Sequence, residues 1–139
     1  MRWSPKFFLI LIVLARIPCA WGEKPLILLE RGRNEFEYGR YTEAIKTLRQ
    51  VLYPDSRLEE LRQQVEARTL LGVSDFVEGN MAASRQEFIQ LLTLYPDARL
   101  DPLLYPPPVV EFFNQVKRSL KEKLEDIRER LRQEEEKRR

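Results

Sequence analysis

VEARTLLGVSDFVEGNMAASRQEFIQLLTLYP, residues 65–96, divides itself at the glycine of EGN. Before that point Leu70, Leu71, Val73, Phe76 and Val77 recur at helical spacing, and after it Phe88, Leu91 and Leu92 do the same. Glycine tolerates the backbone of a tight turn between helices. Pro96 stops the second run, because proline lacks an amide donor and clashes with the preceding helical turn. The stretch therefore predicts two helices folded into a hairpin.

A second copy lies upstream. PLILLERGRNEFEYGRYTEAIKTLRQVLYP, residues 25–54, aligns with the first stretch at a spacing of 40. Gly32 falls on Gly72, Phe36 on Phe76, Gly39 on Gly79, Ala44 on Ser84, Leu48 on Phe88, Val51 on Leu91 and Leu52 on Leu92. Each copy closes on matching words, YPDSRL from Tyr53 and YPDARL from Tyr95, 42 residues apart. Self-similarity at such a period marks stacked supersecondary units. Small residues just after each turn, Ala44 in one copy and Ala83 and Ser84 in the other, let the paired helices approach closely.

The two units resemble tetratricopeptide repeats. The second carries Leu71-Gly72, Gly79, Ser84, Phe88, Leu91 and Pro96 at the places where that family has a leucine-glycine pair, a turn glycine, a small residue, an aromatic or leucine, and a closing proline. The first carries Gly32, Gly39, Tyr41, Ala44, Leu48 and Pro54. It departs from the pattern at Arg31, in place of the leucine, and at Pro54, which comes two residues early and leaves DSRLEELRQQ to lengthen the next helix. The resemblance covers residues 25–96 and implies a fold, not a ligand.

The N-terminus differs in kind. Arg2 and Lys6 precede the apolar run FFLILIVLA, Phe7 to Ala15, and then come Arg16 and IPCAWG. This is the layout of a secretory signal peptide, with cleavage expected after Gly22. The run is about half the length of a membrane span, which needs roughly 20 apolar residues; retention as an N-terminal anchor is the alternative. Lipid attachment at Cys19 is a poor match, since Arg16, Ile17 and Pro18 precede it. Cleavage after Gly22 leaves a chain without cysteine, which suits a bacterial envelope better than a disulfide-stapled secreted domain. It also removes three of the 24 basic residues and no acid, leaving 21 against 22 acids, so the basic balance of the whole chain gives no reason to expect nucleic acid.

Beyond the repeats, RLDPLLYPP forms a proline-rich link over residues 99–107. Residues 108–119 then carry a short apolar stripe, Val109, Phe112, Phe113 and Val116, suited to cap the last hairpin, because stacked arrays need a terminal cap. In residues 120–139 only Leu120, Leu124, Ile127 and Leu131 are apolar. They define a narrow seam, shorter than a coiled-coil assignment requires, so the tail reads either as a solvated helix fraying into a disordered end or as a surface for self-association or a partner helix. The final KRR is diluted by Glu134 to Glu136.

The fold expected is all-α: two tetratricopeptide-like hairpins over residues 23–98, plus a capping helix extending into a charged C-terminal helix. The chain has no histidine, and its five glycines are scattered singly. That removes the commonest general base and any phosphate-cradling loop. Glu59-Glu60 and Glu125-Asp126 read as solvated charges without a pocket to separate their protonation. No catalytic residue, cofactor or metal is expected. The resemblance implies instead a concave groove lined by Leu29, Arg33, Phe36 and Glu37 from the first unit and by Glu66, Thr69, Val73, Phe76 and Val77 from the second. Phe36 and Phe76 share one slot, as core or as a pair of anchors for a peptide or helix. The expected role is a non-catalytic adaptor in the periplasm or envelope, holding part of another envelope protein with no membrane insertion of the mature chain. A homo-oligomer assembled through Leu120, Leu124, Ile127 and Leu131 is the alternative.

Overall fold

The structure, a computed structural model, describes residues 22–139. The expected signal segment and Cys19 lie outside the described residues, apart from Gly22. Within them the chain is all-α, in six helices: α1 Pro25–Glu37, α2 Tyr41–Leu52, α3 Leu61–Val77, α4 Met81–Leu94, α5 Pro107–Ser119 and α6 Lys121–Arg138.

The two hairpins turn by the same device. Gly39 and Gly79 stand at φ +71° and +82°, in the left-handed region that glycine enters without a Cβ penalty. The Gly39 amide donates to the Phe36 carbonyl at 2.9 Å, and Arg40 to Glu35 at 2.8 Å; Gly79 and Asn80 repeat these bonds to Phe76 and Asp75 at 3.0 and 2.8 Å. This is a glycine C-cap that satisfies the last carbonyls of the first helix in each pair. Inside the hairpins a second pair of glycines sets the spacing. Gly32 faces Leu48 and Gly72 faces Phe88, and both partners are fully buried. Ala44 and Ser84 are also fully buried, and the Ser84 hydroxyl donates to the Gly72 carbonyl at 2.7 Å.

The hairpins stack through α2 and α3. One core cluster joins Leu28, Leu29, Leu48, Val51, Leu52 and Leu58 to Ala67 and Leu71. A second joins Val73, Phe88, Leu91 and Leu92 to Val109, Phe113 and Val116 of α5 and to Leu124 and Ile127 of α6. Between the hairpins runs a polar layer. Glu87, 4% exposed, accepts from the Tyr53 hydroxyl and, at 3.0 Å, from Arg68. Asp75, fully buried, takes Arg49 and Asn80 at 3.2 Å each. Buried carboxylates are costly unless paired and hydrogen-bonded in this way.

Three local expectations change. DSRLEE is a linker, and α3 gains length only from Leu61 onward; Leu58 buries itself and its carbonyl accepts from the Gln64 side chain at 2.8 Å. Helix α5 opens at Pro107, since prolines are tolerated where the first amides have no helical partner anyway. On α5, Glu111 lies beyond the first turn and pairs with Arg118 at 2.8 Å. The tail does not extend away as a continuation of α5. The chain breaks at Leu120, and α6 packs back on α4, tied by Arg128 to Asp97 at 3.0 Å and to the Pro96 carbonyl at 3.2 Å.

Candidate functional site

The first helices of the two hairpins, α1 and α3, face each other. Arg33 on α1 donates through Nε to Glu66 on α3 at 2.6 Å, and this hydrogen bond is the main reason the guanidinium is held above its ordinary pKa. The pair divides the face into a closed half and an open half.

The closed half is filled by the protein's own aromatics. Phe36 meets Tyr41 edge-on at 5.5 Å and Tyr105 of the proline-rich link at 6.4 Å. Tyr105 is raised above the usual tyrosine pKa, first by burial and then by the negative charges of Glu66 and Asp101. Phe76 packs on Phe112 of α5 at 5.3 Å. Phe36 and Phe76 are thus partly buried against the protein's own aromatics, and Val73, 1% exposed, is core. The Thr69 hydroxyl returns to the Val65 carbonyl at 2.8 Å. Glu37 and Val77 are exposed, beside the turns. The nine groove positions therefore do not form one strip.

The open half lies toward the N-terminal ends of α1 and α3. It holds two adjoining cavities that share Leu26, Glu60 and Gln63. One, about 520 Å³, is lined by Pro25, Leu26, Ile27 and Leu58, with Lys24 and Arg57 at its margin. The other, about 510 Å³, is lined by Glu30, Arg33, Arg62 and Glu66, with Leu29 contributing to its wall although the side chain is only 2% exposed. Leu26, Ile27 and Leu61 remain 56%, 47% and 49% exposed around it. Apolar side chains converge at one end and charged ones at the other.

No family model, curated protein or solved structure matches this chain. The site therefore rests on its own geometry. Of the groove residues expected from sequence, Leu29, Arg33 and Glu66 line the open half. Leu26, Ile27, Glu60, Arg62 and Gln63 join them without having been singled out. Their signal was available: Leu26 and Ile27 follow the helix-opening Pro25 outside the apolar stripe that the core uses. Among the described residues no group of acidic, histidine or cysteine side chains is arranged to hold a metal, and no helix is long and apolar enough to cross a membrane.

The seam assigned to oligomerisation is mostly occupied. Leu124 and Ile127, 2% and 8% exposed, belong to the core beneath α6, and Leu120 packs against it; Leu131 alone stays open at 47%. As α6 packs here, Leu131 is the one residue of the four that stands open to a second copy.

Proposed function

We propose that the protein is a non-catalytic, tetratricopeptide-like adaptor that works in the bacterial envelope after export and cleavage behind Gly22. Its groove holds an extended or helical segment of another envelope protein against the open half of the α1–α3 face. One observation carries this reading: two adjoining cavities, one mainly apolar and one charged, lie between matching helices and are lined by the exposed Leu26 and Ile27. Peptide grooves characteristically combine an apolar anchor site with a few fixed polar groups. Arg33 is already paired with Glu66, whereas Glu30 and Glu60 have no cation within salt-bridge distance among the described residues. The segment best suited is one that presents an apolar side chain followed by a lysine or arginine.

A photo-crosslinking residue at Ile27 or Glu30, in the source cells, tests the reading. Discrete adducts with another envelope protein are expected from both positions and not from the exposed Tyr38 on the hairpin turn. Equal labelling from all three would remove the groove as the site.

A further inference from the structure

The elbow between α5 and α6 forms a second recess, remote in composition from the groove. About 310 Å³ in volume, it is lined by Asn114, Lys117, Arg118, Lys121, Leu124 and Arg128. Four of these six residues are cations, and none is an acid. Their spacing explains the concentration. Positions 114, 117 and 118 share one face of α5, and 121, 124 and 128 share one face of α6 beyond the Leu120 break.

The loop after α4 is tied to two of the lining cations. Lys117 donates to the Ala98 carbonyl at 2.7 Å, and Arg128 to the Pro96 carbonyl at 3.2 Å. Arg99, on the same loop, is near enough for its charge to act on Lys117. The Lys117 ammonium is held below its ordinary pKa by burial, then by Arg128 and Arg99, with Asp97 opposing them. Two acids offset part of the charge: Asp97 pairs with Arg128 at 3.0 Å, and Glu111 with Arg118 at 2.8 Å. Lys117, Lys121 and Arg99 have no carboxylate within salt-bridge distance among the described residues. Like charges gathered around a recess cost free energy unless an anion joins them.

From this geometry we infer a binding site for a phosphate-type anion in the α5–α6 elbow, held by Lys117, Lys121 and Arg128. Arg118 also lines it, and Leu124 forms part of the apolar wall. Lys117 and Arg128 each keep donors beyond those spent on Ala98, Pro96 and Asp97, and together with Lys121 they match phosphate oxygens in charge and hydrogen bonding. Two sources share this chemistry, a free phosphate compound and a lipid headgroup. The loop that carries Arg99 continues to Leu103 and Leu104, 92% and 74% exposed, which would add apolar contact at a lipid surface and nothing toward a free anion. The site is independent of the groove.

The test uses the isotope-labelled purified protein, titrated separately with inorganic phosphate, with vesicles containing phosphatidylglycerol, and with neutral phosphatidylcholine vesicles. Saturable perturbation of the Lys117, Lys121 and Arg128 amides by phosphate assigns a free-anion site. Binding to anionic but not neutral vesicles, without a phosphate response, assigns a headgroup site. In either case K121E is expected to weaken binding by at least about tenfold. K117Q, which retains a donor for Ala98, should weaken it less, and K46E on α2 should leave it unchanged. No response to either anionic probe, or a response that K121E leaves intact, overturns the site.

Discussion

Phe88 packs against Gly72 so closely that a Cβ on the glycine would lie 2.5 Å from the ring, and Leu48 stands over Gly32 in the same way at 2.7 Å. The interval between partners is 16 residues in both hairpins. These glycines therefore set the distance between paired helices, a task separate from that of Gly39 and Gly79.

Gly72→Ala is expected to destabilise the protein despite alanine's better helix propensity. Phe88 is fully buried and its ring cannot yield without disturbing Phe112 and Phe113. Overpacking of this kind costs about 1–3 kcal/mol. Urea unfolding of Gly72→Ala beside Gly79→Ala separates the two glycine roles. At Gly79 a Cβ meets nothing within 4 Å, so its cost is conformational, about 1–2 kcal/mol. A neutral or stabilising Gly72→Ala would contradict the close-packing account.

Phe113 is fully buried, with its ring perpendicular to Phe88 at 5.1 Å. Phe113→Ala is expected to cost about 3–5 kcal/mol. Phe112 is only partly buried and should cost less. If thermal unfolding ranks them in reverse, α5 does not cover the second hairpin as described.

The tail carries a similar prediction. Leu124→Ala should cost about 2–5 kcal/mol, whereas removal of residues 132–139 should leave unfolding nearly unchanged, because that end of α6 is exposed throughout. A Leu124→Ala variant that unfolds like the parent would return α6 to the status of a solvated extension. Sedimentation of the parent addresses the seam: self-association that Leu124→Ala abolishes without loss of stability would show that the leucine serves a second copy.

Stability should depend on pH in the alkaline range through Tyr53 and Tyr105. Both pKa values are raised above the ordinary 10.0, mainly by burial and, for Tyr53, by the hydrogen bond to Glu87. A folded-state value above the unfolded one means that the folded protein holds the proton more tightly, so this contribution is complete below pH 10 and is lost as pH rises through the folded value. Lys117, lowered from 10.5, acts in the opposite sense, because its unfolded form retains the proton longer. Comparing the parent with Tyr53→Phe isolates the tyrosine: the variant should lose less stability between neutral and strongly alkaline pH. An identical loss in both would exclude Tyr53 as a contributor.

The hairpins are legible in the sequence because local rules and packing agree there. Gly39 and Gly79 are needed for positive φ, Gly32 and Gly72 for close approach, and Pro54 and Pro96 follow the helices they end. The groove is less legible. Side chains at one helical position look alike whether a neighbour covers them or not, and Tyr105 reaches Phe36 only because the proline-rich link returns toward α1. Ile127 is ambiguous for a related reason. A seam of four apolar residues fits a second chain as well as it fits α4, and only the bend at Leu120 decides which one covers it.

A photo-crosslinker at Glu30, in source cells that carry Ile27→Asp, separates a partner seated in the groove from one bound elsewhere. Ile27 is 47% exposed, so the aspartate should be accommodated without loss of fold, which circular dichroism of the purified variant checks. The account predicts that the partner adduct seen from Glu30 disappears in the Ile27→Asp background while the melting temperature stays within a few degrees. An adduct of undiminished yield in that background would contradict it.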